Sequence, residues 1–276
     1  MREVKFGAPG YILLKDMSRD MAGTLKKIAA LGYDGIEITG FFGHSAQEIR
    51  AMCADAGVIP YGCFAQLNSL VGEVNTGKGG NWDEYAAAFD IRGETPDDVM
   101  QYIQDIGCEY VGLLVPNAPV TDELISKINR ACDIAVRHDM KLQYHNHNYE
   151  YTNMVNGVYR MDDILARTDP RMLFEPDLGW MEIGGYDCVK ALGTYRERIE
   201  IVHLKDYWRE SNDPSLPHQF RPTGYGVMDW ARILPLCERL IQPKWYVADH
   251  DSAYDGDIYE ELGMSLEFIK NALRYC

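Results

Sequence analysis

Eight strand-like runs alternating with amphipathic helical stretches predict a single (β/α)8 TIM barrel of the α/β class, spanning residues 1–276 as one domain. Size agrees: 276 residues with 46% hydrophobic content fill one large α/β barrel and are too few for two independent α/β domains. A third observation tells front from back. The last four predicted strands each end in polar residues spaced i, i+2, and parallel barrels concentrate their chemistry at the C-terminal ends of their strands.

The strand-like runs lie near residues 4–8, 35–39, 59–64, 110–115, 141–146, 172–175, 199–204 and 245–249. After the first, Ser18 is the expected N-cap of a helix over 20–30, which Gly32 stops. Ser45 with Glu48 forms a capping box for the next helix, and Gly57 closes it. After strand three, the Gly-rich segment 71–81 and a short helix over 82–89 read as an insertion. Thr95, Pro96, Asp97 and Asp98 supply an N-cap, a Pro at N1 and first-turn acids for a helix to about Ile106, closed by Gly107. The polar segment 208–223, with three prolines, follows strand seven and is expected to overhang the catalytic face.

The most informative stretch is KLQYHNHNYEY, residues 141–151. Alternate residues of a strand share one face, so Gln143, His145 and His147 point the same way. Comparable pairs end the following strands: Glu175 and Asp177, His203 and Lys205, Asp249 and Asp251. One such pair is ordinary core polarity, but four in succession point to a metal or catalytic site.

Composition excludes several classes. With 27 Lys and Arg against 42 Asp and Glu, the formal charge of −15 repels nucleic acid and anionic lipid. There is no apolar run near 18 residues and no secretory leader pattern, so a cytoplasmic enzyme without membrane partners is expected. Seven cysteines without a C-x-x-C read as reduced thiols rather than a disulfide framework or a structural zinc site. Neither a G-x-G-x-x-G nor a P-loop occurs, so no nucleotide cofactor is expected. A homo-oligomer is compatible with the sequence.

Several segments in order, GTLKKIAALGYDGIEITGFFGHSAQEIRAMCADAG, YHNHNYEY, DLGWMEIGGYD, VHLKDY and TGYGVMDW, resemble the sugar phosphate isomerase/epimerase group of the xylose isomerase-like TIM barrels. The resemblance covers nearly the whole chain and implies a divalent-metal site at the barrel mouth, fed by strands five to eight. Epimerases of this superfamily use Glu, Asp, His and Glu as ligands, both glutamates also moving protons. Carried over by position, the set becomes His145, Asp177, His203 and Asp249, with His145 and Asp249 in the catalytic places of the two glutamates. Phe64 stands where relatives often have His. Two imidazoles and two carboxylates favour Mn²⁺, Co²⁺, Fe²⁺ or Zn²⁺ over Mg²⁺.

Neighbouring residues take roles by the same logic, each with a plainer alternative. His147 is a general base or binds a substrate hydroxyl. Lys205 steadies a developing oxyanion, or pairs with Glu175 or Asp177 inside the barrel. Glu37 and Glu175 bind substrate hydroxyls or other barrel polar groups. Trp180 walls the pocket or is structural, Arg221 reaches the substrate from the loop or is solvated there, and Glu150 orients one imidazole from behind.

The resemblance implies an isomerase or epimerase acting on a small carbohydrate, a ketose or keto-sugar, through an enediolate. The alternative is a metal-dependent lyase or dehydratase eliminating from a 3-keto-glycoside or keto-cyclitol, favoured in one respect because the pair of flexible glutamates is lost. A non-catalytic sugar-binding barrel stands behind both. An endonuclease like some superfamily relatives is disfavoured by the acidic charge.

Overall fold

The computed structural model describes residues 3–73, 95–115, 117–152, 154–210, 219–254 and 256–276. The strands are β1 (Lys5–Pro9), β2 (Gly35–Ile38), β3 (Ile59–Gln66), β4 (Tyr110–Leu114), β5 (Lys141–His145), β6 (Leu173–Glu175), β7 (Ile201–His203) and β8 (Trp245–Val247). They pair in parallel in the order β6-β5-β4-β3-β2-β1-β8-β7, with helices flanking them. The ring closes where β6 meets β7: Asp177 bridges to His203, and the His203 N–H donates to the Pro176 carbonyl at 2.9 Å. Two candidate site residues therefore sit on the seam of the barrel.

All eight predicted strands are present, because each is a short apolar run bounded by turn residues. The capping predictions for Ser45 with Glu48 and for Thr95 with Asp98 match the structure, and Gly32, Gly57 and Gly107 end their helices in the left-handed conformation. Ser18 differs from expectation. The helix Leu14–Leu31 already contains it, and its hydroxyl donates to the Lys15 carbonyl. Asp20 interrupts the helical backbone instead, and its carboxylate accepts from the Gly23 N–H at 2.8 Å, making it the cap of the second half.

Inside the barrel, Tyr61, Tyr110, Ile201, Trp245 and Val247 form a buried apolar cluster toward the N-terminal end, with Tyr61 stacked on Trp245 at 4.1 Å. Glycines make room for these rings. A Cβ on Gly7 would meet Tyr61 Cε1 at 2.7 Å, and one on Gly112 would meet the Phe64 ring at 2.5 Å.

The insertion over 71–81 and 82–89 lies outside the described residues apart from 71–73. The segment after β7 begins and ends as an antiparallel hairpin, Asp206–Trp208 with Gln219–Arg221. The buried Asp206 carboxylate holds the turn that follows, accepting from the N–H groups of Gly224, Gly226 and Met228 and from Trp230 Nε1. All seven cysteines are free, six of them buried. Among the described residues, no helix is long and apolar enough to cross a membrane.

Candidate functional site

Strand geometry brings the four expected donors together. One ligand atom from each of His145, Asp177, His203 and Asp249 lies within 4.8 Å of the others, and all four residues are buried. His145 Nε2 is 3.7 Å from Asp177 Oδ2 and 3.8 Å from Asp249 Oδ2, while His203 Nδ1 is 3.0 Å from Asp249 Oδ2. The His145 and His203 rings meet edge to face at 4.6 Å, and Phe64 packs edge-on against His145 at 5.6 Å. Asp177 is fixed from behind: its N–H donates to Asn146 Oδ1 at 3.0 Å, Asn146 Nδ2 returns a bond to its carbonyl, and Asp177 Oδ1 caps the helix Leu178–Ile183 through the Trp180 N–H.

Lys205 is completely buried among carboxylates, with Nζ 2.8 Å from Asp251, 3.0 Å from Asp249 and 3.4 Å from Asp177. Of the partners expected for it, Asp177 is present and Glu175 is not. Phe220 and Trp180 cover the ammonium at 5.1 and 5.6 Å and meet each other at 5.2 Å. Trp180 also lies 6.0 Å from the His147 ring, and Tyr149 stacks on His147 at 5.3 Å. His147 Nδ1 is buried without a hydrogen-bond partner.

The remaining candidates lie elsewhere. Glu37 and Glu175 are buried against the other side of His203, each 3.2 Å from Nε2, with Gln143 Nε2 donating to both. Glu150 does not touch an imidazole: it accepts from the backbone N–H of His147 and from Tyr144 Oη. Tyr144 alternates with Gln143 and His145, so Glu150, fully buried, is on the helix side of the sheet. The Arg221 guanidinium lies 3.3 Å from the Tyr254 ring and 5.4 Å from Trp208, rather than free in solvent.

The electrostatics separate similar groups. Burial pushes Asp177 well above the usual carboxylate range. Burial also opposes charge on Asp249, but Lys205, His145 and His203 outweigh it and hold Asp249 well below that range. For His203, burial is outweighed by Glu175, Asp249 and Glu37, which raise it well above an ordinary imidazole. Burial, reinforced by Glu175, pushes Glu37 up to about 7. Lys205 is raised despite burial because Asp249, Asp251 and Asp177 surround it, so it stays charged. Burial, helped by His145 and Lys205, pushes His147 down to about 3, so it is neutral at physiological pH.

A family model for the xylose isomerase-like TIM barrel matches residues 25–240. The chain belongs to this family. The inosose dehydratase of Geobacillus kaustophilus (strain HTA426) is 27% identical over 208 residues, 66% of this chain and 60% of that protein. The match thus spans less than two thirds of that relative's length. A sugar phosphate isomerase/epimerase from Parabacteroides distasonis ATCC 8503 superposes with a TM-score of 0.73 at 21% identity, covering 98% of this chain and 94% of the other. An IolI protein with a bound zinc atom superposes with a TM-score of 0.69 at 14% identity, covering 99% of each chain. These solved structures share the fold.

The donor set fits the divalent ion that the family implies. Asp177 Oδ2 is buried and makes no hydrogen bond, its nearest cation being Lys205 Nζ at 3.4 Å, and two imidazoles with two carboxylates suit a first-row metal. Sequence reasoning missed Asn146, whose signal was its place between two inward histidines. It also missed Asp206, which stands inside the quoted VHLKDY segment, and Phe220, which no local pattern marks.

Proposed function

We propose that this barrel domain is a divalent-metal-dependent dehydratase acting on a small carbohydrate, a keto-cyclitol of the inosose type. The observation that carries the reading is the buried convergence of His145, Asp177, His203 and Asp249 beside the charged Lys205 and the neutral His147. The similarity to an inosose dehydratase supports the choice of reaction and substrate class. Isomerisation or epimerisation of a ketose is the second reading, supported by the shared fold of the isomerase/epimerase neighbour. It ranks lower because Asp249, which replaces one flexible glutamate, is engaged by both His203 and Lys205.

An ion held by His145, Asp177, His203 and Asp249 would polarise the substrate carbonyl and acidify the adjacent C–H. His147, neutral and next to His145, takes that proton, and the electron pair left behind becomes the new double bond. Lys205 stabilises the negative charge that develops on the carbonyl oxygen. The β-hydroxyl leaves as water with the proton returned from His147, so one imidazole serves both proton transfers. Trp180 forms an apolar wall for the C–H face of the ring, and Arg221 binds hydroxyls at the rim. Glu37 and Glu175 act below His203, and Glu150 holds the His147 backbone.

The donor types favour Mn²⁺, Co²⁺, Fe²⁺ or Zn²⁺, and the zinc-bound neighbour supports that class. The test is a panel of keto-cyclitols, 3-keto-glycosides and ketoses incubated in deuterated water and followed by NMR. Elimination confined to keto-cyclitols supports the reading. Deuterated epimers of a ketose without water loss would replace it with the second.

A further inference from the structure

We propose that Glu37 and Glu175 are paired positioning residues for His203, holding its Nε2 edge so that Nδ1 is the nitrogen presented to a divalent ion. The inference rests on the metal reading above and adds the groups that select the ligating nitrogen and strengthen its hold.

His203 is 2% exposed and has carboxylates on both edges. Nδ1 faces Asp249 Oδ2 at 3.0 Å, the side on which His145 and Asp177 gather. Nε2 lies 3.2 Å from Glu37 Oε2 and 3.2 Å from Glu175 Oε1. Neither contact is a full hydrogen bond, and Nε2 lies at the same distance from both carboxylates, so this edge of the ring faces the pair rather than one acceptor. An imidazole that donates its far N–H to a carboxylate is fixed in tautomer and orientation and becomes a more basic ligand.

Gln143 sets the spacing of the pair. Its Nε2 donates to Glu175 Oε1 at 2.6 Å and to Glu37 Oε1 at 3.2 Å, tying together carboxylates from opposite parts of the barrel wall. Glu37 Oε2 and Glu175 Oε2 have no hydrogen bond, and both residues are at most 1% exposed. No Lys or Arg nitrogen lies within 4.0 Å of either among the described residues, so His203 Nε2 is the ring nitrogen that faces both. Two buried carboxylates are costly without such a partner, and their position against one ligand candidate gives them a role there.

The test uses Co²⁺ as the probe, with affinity measured by competition against a chelating dye and the visible absorption band as a signature of the ligand field. Glu37→Gln and Glu175→Gln are each expected to weaken Co²⁺ binding about 10- to 100-fold and to shift the band, while Glu109→Gln at the other end of the barrel changes neither. In the Zn²⁺-loaded wild type, ¹⁵N NMR is expected to show His203 protonated at Nε2. Unchanged affinity and band in both folded glutamine variants would overturn the proposal, as would a His203 ring protonated at Nδ1. If both variants fail to fold, the wild-type ring spectrum decides. A wild type that takes up no Co²⁺ sinks the metal reading and this proposal together, whereas normal uptake with unaltered variants sinks this proposal alone.

Discussion

His203 Nδ1 and Asp249 Oδ2 lie 3.0 Å apart across the neighbouring strands β7 and β8, although 46 residues separate them in the chain. The same oxygen is 3.0 Å from Lys205 Nζ, so one carboxylate joins an imidazole and an ammonium where the quartet converges.

Carboxylates raise His203 well above the ordinary imidazole range, so metal uptake has to displace its proton. Zn²⁺ binding should therefore release protons into a weakly buffered solution near neutral pH, and affinity should fall as pH is lowered. Proton release is read directly by calorimetry in buffers of different ionisation enthalpy. Binding that is independent of both buffer and pH would contradict this assignment.

Lys205→Met in metal-free protein should cost about 3–5 kcal/mol, because it leaves Asp177, Asp249 and Asp251 without the buried cation that faces all three. Urea unfolding of the two proteins measures the difference. A loss below about 1 kcal/mol, the size expected of a surface pair, would show that solvent reaches the cluster.

His147→Gln should retain metal binding and lower turnover by about 10²- to 10⁴-fold, the usual contribution of a general base. Metal analysis alongside steady-state kinetics separates the two effects. Normal turnover would return His147 to a packing role against Tyr149 and Trp180.

Burial pushes Glu150 up to about 7, so folding favours its protonated form. Its contribution is present below the unfolded pKa near 4.5 and is lost as pH rises through about 7, a swing of about 3 kcal/mol. Glu150→Gln should remove that slope and be the more stable protein at pH 8. Melting curves of both proteins from pH 4 to 8 check it, and parallel curves would refute the assignment.

The strands were legible because each is a short apolar run; i, i+2 spacing marked the polar pairs at the strand ends, and the family resemblance picked the quartet out of them. Helix ends were legible where a side chain caps its own N3 position, as Ser45 and Thr95 do. At Ser18 the nearby Asp20 takes the cap, a competition that composition alone does not decide. The placement of Glu37 and Glu175 against His203 was illegible, because it depends on which residues the closed ring sets face to face. Glu150 was legible only in part, since it holds the backbone of His147 rather than its ring. The chain turns after His147, and its carboxylate meets Tyr144 outside the sheet rather than a ring inside it.

The central claim, that the quartet holds one divalent ion and that the barrel uses it for elimination, is tested most directly by product analysis. Inosose is incubated with the purified protein before and after chelator treatment, and with the chelated protein resupplied with Mn²⁺, Co²⁺ or Zn²⁺. The account predicts loss of one water from the substrate in the loaded protein, none after chelation, and recovery with those ions but not with Mg²⁺ alone. Undiminished water loss after complete metal removal, or an epimer in place of the dehydrated product, would contradict it.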